Sequence, residues 1–361
     1  MPVFVCGLDL SRRFFREVVR PLLTPAFPNL RYAAALLGPG SEVLGFDTEM
    51  STDHDWGPRL FLFLREEDAE QGDAIGNLLS HQLPETFADF PVSFPIPVSP
   101  KMRGMIRPLA GPVKHRIIPI TLRNFLRVQL GYDLAQPLSA FDWLTFPSHA
   151  LGELVAGEVY LDNVGELTAL RNRFVWYPYD IWLYLLASGW QRIGQEEHLM
   201  PRAGFVGDEL GSALIGSRLM RDIMNLCFLL EKQYAPYPKW FGTAFQRLHS
   251  AKELLPLLWR VQQASSWSER TEALARSYEV LARIQNALRM GRTLPVTVSL
   301  FYDRPFSVIH GEMFTQALVE QITDPTVRRI AKWRLIGNIN QWSDNTDMEG
   351  VEREKLQRLY V

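Results

Sequence analysis

The chain has 361 residues, a length that favours two packed units over one, and its 47% hydrophobic content is ample for their cores. A formal net charge of −2 gives no global basic field to recruit DNA or an anionic membrane. Cys6 and Cys227 are the only cysteines, so there is no disulfide framework, and the usage suits a reducing cytoplasm.

In chain order, the N-terminal stretch MPVFVCGLDLSRRFFREVV places Asp9, Arg12 and Arg13 where a signal peptide needs uninterrupted apolar residues. No apolar run elsewhere reaches the roughly 18 residues of a membrane span, so a soluble cytoplasmic protein is expected. Ser11 to Leu23 reads as a helix, Ala33 to Leu37 as a small apolar run, and Leu60 to Leu64 as a buried strand followed by a helix from Glu66. Residues 84 to 112, broken by Pro84, Pro91, Pro95, Pro97, Pro100, Pro108 and Pro112, read as a long loop. Arg116 to Thr121 follows as a strand and Leu122 to Leu130 as a helix. Gly157 to Leu167 then reads as a hairpin around an Asp-Asn-x-Gly turn. Past Arg171 the pattern is helical: Asp208 caps a helix with apolar positions Leu210, Leu214, Ile223, Cys227 and Leu230, and Leu274, Tyr278, Leu281 and Leu288 mark another. A strand from Val296 to Tyr302 precedes short helices from Glu312 and Pro325. The expected division is residues 1–170 for a mixed α/β domain and 171–361 for a helical domain with a small C-terminal addition.

One constellation carries chemistry. Gly40-Ser41 is followed, after residues 42 to 52, by Asp53-His54-Asp55. A Gly-Ser turn offers N–H groups and a hydroxyl to phosphate oxygens, and two carboxylates at period two on a strand share one face and can share divalent cations, with His54 pointing the other way. The plain alternative is a surface turn whose acids cap and solvate.

With helix, turn, acidic strand and helix in that order, the chain resembles the DNA polymerase beta-like nucleotidyltransferase superfamily. Within it, the wording GSEVLGFDTEMSTDHDWGPR, GEVYLDNVGELTALR, GDELGSALIGSRLMRDIM, YAPYPKWFGTAF and IGNINQWSDNTD is similar to an uncharacterised bacterial family, domain of unknown function 4037. The resemblance implies an α+β class: a nucleotidyltransferase-like mixed sheet with flanking helices, followed by a helical bundle. It implies one or two Mg²⁺ ions on Asp53 and Asp55, with Ser41 and the Gly40 backbone holding the terminal phosphates of ATP or another nucleoside triphosphate. Gly45 lets the chain turn close to them. The implied reaction moves a nucleoside monophosphate, AMP by default, to a hydroxyl and releases pyrophosphate. A small-molecule acceptor is favoured over protein or RNA.

Around this centre, Arg59 offers a bidentate phosphate donor, or is a surface arginine. Asp47 and Glu49 are spacer acids within reach of a second cation, or merely solvated. Lys101, Arg103, Arg107, Lys114, Arg116, Arg123 and Arg127 form a basic stretch able to grip a triphosphate, or a solvated loop. Lys239, in the aromatic-rich Tyr234–Gly242 loop, stands beside rings that stack a base or simply pack. Arg202, Arg218 and Asp222 are further polar residues of the helical domain. The chain departs from the superfamily in one place: residues 90 to 132 contain no Asp or Glu, so the strand from Arg116 lacks the third carboxylate that completes the metal site or serves as base. Glu158 and Asp162 on the hairpin are the first substitutes, Asp208 and Glu209 the next. Without one, the alternative is a catalytically inactive nucleotide-binding or interaction protein on the same fold.

Overall fold

A computed structural model describes residues 3–99, 102–106, 111–345, 347–348 and 351–361. It is a mixed α/β chain that divides into two compact units, residues 1–137 with 150–175, and residues 138–149 with 176–361. The second unit therefore owns a short segment embedded in the sequence of the first.

The first unit is built on a four-stranded sheet in the order Arg116–Thr121 (β7), Arg59–Leu64 (β2), Tyr32–Leu36 (β1), Glu158–Asp162 (β8). Strand β1 (Tyr32–Leu36) is buried along its whole length. It runs antiparallel to both β2 (Arg59–Leu64) and β8 (Glu158–Asp162), while β7 (Arg116–Thr121) runs parallel to β2 with Arg59 opposite Arg116. A parallel partner requires a crossover. It is supplied by helix α2 (Gly72–Gln82) and two small ladders, β3 (Thr86–Phe87) with β4 (Phe90–Pro91) and β5 (Ser93–Ser99) with β6 (Met102–Ile106). Of the prolines that suggested a loop here, Pro91, Pro95 and Pro97 are accommodated in two-stranded ribbons, where every strand is an edge and a missing N–H leaves no central ladder broken; Pro84 and Pro112 lie outside the strands, and Pro100 and Pro108 outside the described residues.

Period-two alternation puts Leu60, Leu62 and Leu64 of β2 into a core with Phe14, Phe15, Val19, Leu23, Ile75 and Leu79. The opposite face of β2 places Phe61 and Phe63 at 5.2 and 5.1 Å from the ring of Phe125, on helix α3 (Leu122–Leu130). Phe14 closes helix α1 (Gly7–Phe14), which continues through one π turn, Phe15–Val19, into Arg20–Ala26.

The expected hairpin at 157–167 is a single strand. Gly165 takes a left-handed conformation at φ 81°, and helix α4 (Glu166–Arg173) starts where the second strand would. Asp162 accepts from Gly165 N (2.8 Å), Thr168 N (2.9 Å) and Thr168 Oγ1 (2.7 Å), so the Asp-Asn-x-Gly wording encodes a helix start.

In the second unit, helix α5 (Tyr179–Glu196) is buried along most of its length. Around it lie α6 (Glu209–Leu230), α7 (Pro238–Phe245), α8 (Trp267–Ala287), the hairpin β9 (Ser299–Phe301)–β10 (Arg304–Val308), α9 (Gly311–Val319) and α10 (Ile339–Trp342). Helices α5 and α9 meet backbone to backbone: a Cβ on Gly311 would lie 2.6 Å from the Trp190 carbonyl and 2.8 Å from Gly194 N. Trp190 and Phe314 stack beside this crossing at 4.1 Å. Asp208 caps α6 as expected, accepting from Gly211 N. Of the apolar positions read for that helix, Ile223, Cys227 and Leu230 are buried, but Leu210 and Leu214 face outward, 73% and 61% exposed. Among the described residues no helix is long and apolar enough to cross a membrane.

Candidate functional site

From β1 the chain passes Gly38, Pro39 and Gly40 into a turn over Ser41–Gly45, closed by Phe46 N to Ser41 O at 2.8 Å and Gly45 N to Glu42 O at 3.2 Å. Gly45 has φ 68°, the left-handed geometry that favours glycine. Gly40 is required for another reason: a Cβ there would collide with the Arg59 guanidinium and lie 2.6 Å from Glu42 Oε2. Arg59, the first residue of β2, donates from Nε to Glu42 Oε1 at 2.8 Å and from a terminal nitrogen to the Pro39 carbonyl at 2.8 Å. Both side chains of this ion pair are nearly inaccessible, at 6% and 2% exposure. Arg59 is thus spent on holding the turn in shape. Glu42 carries no local signal of this role, because its partner lies 17 positions away across the sheet.

The Asp53-His54-Asp55 segment is not a strand. Thr48 and Ser51 form a capping box that opens a 3₁₀ turn over Glu49–Asp53, His54 is extended, and Asp55 reverses the chain at φ 52°. Alternation of side chains therefore does not apply, and His54 does not point away: its Nδ1 lies 2.7 Å from Asp53 Oδ1. The cause is Trp56, buried with Leu10 and Phe90 and donating from Nε1 to Asp47 Oδ2 at 3.0 Å. Pinning that indole forces a turn before β2 can begin. The spacer acid Asp47 also accepts from Gly7 N, the first N–H of α1, at 2.7 Å.

Asp55 forms an ion pair with Arg116, the first residue of β7. Burial pulls the Arg116 guanidinium below its ordinary pKa, and the charge of Glu42 acts in the opposite direction. Arg116 thus lies in the field of the acid next to Ser41 and on the acid of the Asp53–Asp55 segment. It also sits over the Phe94 ring at 5.8 Å. Elsewhere in the basic stretch, Arg123 and Arg127 gather on Asp133 at 2.8 and 2.7 Å, Lys114 is exposed, and Lys101 and Arg107 lie outside the described residues. Arg103 is on β6.

Neither substitute carboxylate joins this group. Strand β8 pairs with β1 and not with β2, placing Glu158 opposite Leu36 and Asp162 opposite Ala33. Glu158 accepts both arms of Arg12, at 2.6 and 2.5 Å, and these bonds raise the pKa of that guanidinium. Asp162 accepts from the Thr168 N–H in the first turn of α4. Asp208 and Glu209 belong to the second unit, where Asp208 is itself a cap and Glu209 pairs with Arg270 at 3.4 Å. Lys239 is exposed on α7 with its Nζ 4.9 Å from the Trp240 ring. In the same unit Arg218 and Arg192 pair with Glu196, and burial raises the Asp222 carboxyl to about 6.

Mg²⁺ needs carboxylate oxygens free to replace its waters. Here Asp53 is held by His54, Asp55 by Arg116, Asp47 by two N–H donors, Glu42 by Arg59 and Glu158 by Arg12. Among the described residues no group of three or more His, Cys, Asp or Glu side chains is gathered closely enough to hold a metal ion. The side chains as arranged do not fit a bound magnesium. They form a chain of alternating charge, Arg59–Glu42 beside Arg116–Asp55.

Residues 143–241 match a family described as a domain of unknown function (DUF4037), a span that leaves out the Gly40–Ser41 turn and the Asp53–Asp55 segment. No curated protein and no solved structure matches the chain.

Proposed function

We propose that the first unit is a nucleotidyltransferase-like module that binds nucleoside triphosphate without transferring it, with Arg116 serving as the cation. The observation that carries this reading is the Arg116–Asp55 ion pair, on the strand that bears no acid. In-line displacement at phosphorus needs charge neutralised on both attacking and leaving oxygens, the work of a metal on carboxylates. A guanidinium neutralises and orients phosphate but generates no nucleophile. The turn that begins at Ser41, held in shape by the buried Arg59–Glu42 pair, offers the Ser41 hydroxyl to the phosphates.

The second reading is Mg²⁺-dependent transfer of AMP from ATP to a small hydroxyl acceptor, and one observation favours it: the Asp53 side chain is 62% exposed, so a ligand can reach it in competition with His54. One set of measurements separates the two. Calorimetry of ATP binding with excess EDTA should give the same affinity as with Mg²⁺, and Arg116→Ala should weaken both by about 10- to 100-fold, the loss of a hydrogen bond to a charged group at roughly 1.5–3 kcal/mol. Pyrophosphate release from Mg²⁺-nucleotides in cell extract should stay at background. Metal-dependent binding together with pyrophosphate release abolished by Asp53→Asn would establish the transferase instead.

A further inference from the structure

The second unit contains a cavity of about 310 Å³ that no part of the reading above uses. That is the lower end of the roughly 300–1,000 Å³ typical of small-molecule sites. Parts of two stretches that stand out in the sequence, within 235–241 and 339–345, line it from different parts of the chain. Pro236, Pro238 and Phe241 come from the first, Ile339 and Asn340 from the second, and α6 contributes Arg221 and Asn225 one turn apart on a shared face.

Polar side chains make up more than half of its lining, Ser343 and Asn345 among them. Asn340 Oδ1 accepts from Ser148 N at 2.7 Å, which fixes the amide and leaves its NH₂ as donor. The Asn225 amide, half-buried, makes no hydrogen bond among the described residues and offers both donor and acceptor. Arg221 pairs with Asp344 at 3.3 Å, so the charged residues of the lining cancel. His149 is buried and packs edge-on against Tyr237 at 5.9 Å.

We propose that this cavity binds an uncharged nucleobase or nucleoside. Proline, phenylalanine and isoleucine surfaces suit a flat ring, and two amides, one fixed and one uncommitted, match the adjacent donors and acceptors of a base edge. Arg221 is the single Arg or Lys among the described residues of the lining and is offset by Asp344, with no second cation to draw a phosphate past that carboxylate. The site is independent of the triphosphate reading, because its ligand has no phosphate and its residues all lie in the second unit.

The test is calorimetry on the full chain with adenosine, guanosine, cytidine and uridine as probes. At least one should saturate at micromolar to low millimolar concentration and weaken at least tenfold in Asn225→Leu, while Arg116→Ala leaves it unchanged. Asn340→Asp keeps the acceptor for Ser148 N but removes the donors, so it should alter the order of preference among the four nucleosides without lowering the melting temperature by more than a few degrees. In competition, the 5′-monophosphate of the preferred nucleoside should displace it less well than the nucleoside does. No saturation by any of the four would overturn the proposal, as would an affinity indifferent to both asparagine substitutions or a monophosphate that competes better.

Discussion

Replacing Glu42 by glutamine tests the foundation of the turn. The substitution keeps the shape, removes one charge and strands the Arg59 guanidinium, whose side chain is 6% exposed. Removing one partner of a buried ion pair costs about 3–5 kcal/mol, because the remaining charge stays desolvated. The glutamine oxygen can still accept from Arg59 Nε, and Pro39 O still accepts from the other arm, so the lower end, about 3 kcal/mol, is expected. For a unit of this size that lowers the melting temperature by roughly 6–12 °C. Hydrogen exchange read on peptides covering β1 and β2 should show the loss there, with α5 and α9 unaffected. Replacing both partners, Glu42→Leu with Arg59→Met, should recover most of the loss, since no lone charge remains buried. A loss under about 1 kcal/mol for Glu42→Gln, or a double variant no better than the single, would refute the account of the pair as a desolvated clamp.

Gly157 has φ 70°, and a Cβ there would run into the Leu36 carbonyl oxygen, so Gly157→Ala should cost at least about 2 kcal/mol in urea denaturation; a midpoint unchanged within error would contradict the close approach of β8 to β1. Glu197, buried and accepting from Ile309 N and Gly311 N at the start of α9, has its carboxyl raised from 4.5 to about 7, chiefly by burial. The folded state then holds the proton more tightly than the unfolded one, so stability falls as pH rises from about 4.5 to 7, by up to about 3 kcal/mol. Relative to wild type, Glu197→Gln should therefore gain stability as pH is raised across that window, and a wild-type-minus-variant difference flat between pH 5 and 8 would show that the two N–H donors hold the carboxylate ionised.

Local pattern was enough for β2, β7 and α3, where an apolar run or a helical stripe is bounded by clear breaks, and for the Asp208 cap. It failed where a distant residue decides. Alternation along Asp53-His54-Asp55 presumed a strand, but Trp56 is anchored by Asp47 and by Leu10 and Phe90, and none of these contacts is visible in the local wording. The pairing of β8 with β1 depends equally on long-range registry, and a one-strand error moved Glu158 from beside the acidic segment to the far side of β1. Arg116 was legible only as one of many basic residues. What distinguishes it is its register opposite Arg59, a property of the folded sheet. The turn glycines Gly40 and Gly45 were readable because a close approach and a left-handed φ leave few other residues possible.

Strand β8 reaches its place only after the chain has passed through residues 138–149, which belong to the other unit. During synthesis, β1 can pair with β2 as soon as residue 64 is available, yet its second edge, from Ala33 to Leu36, stays open until residue 162 emerges. That edge is uncharged, apolar and buried in the finished protein, the profile of a strand that recruits a neighbouring chain when left uncovered. A fragment ending near residue 137 should accordingly accumulate in the insoluble fraction, whereas one carried through residue 175 should not. Nascent chains crowded on one message would share the same hazard for the time it takes to add about a hundred residues, some 5–20 seconds at typical elongation rates.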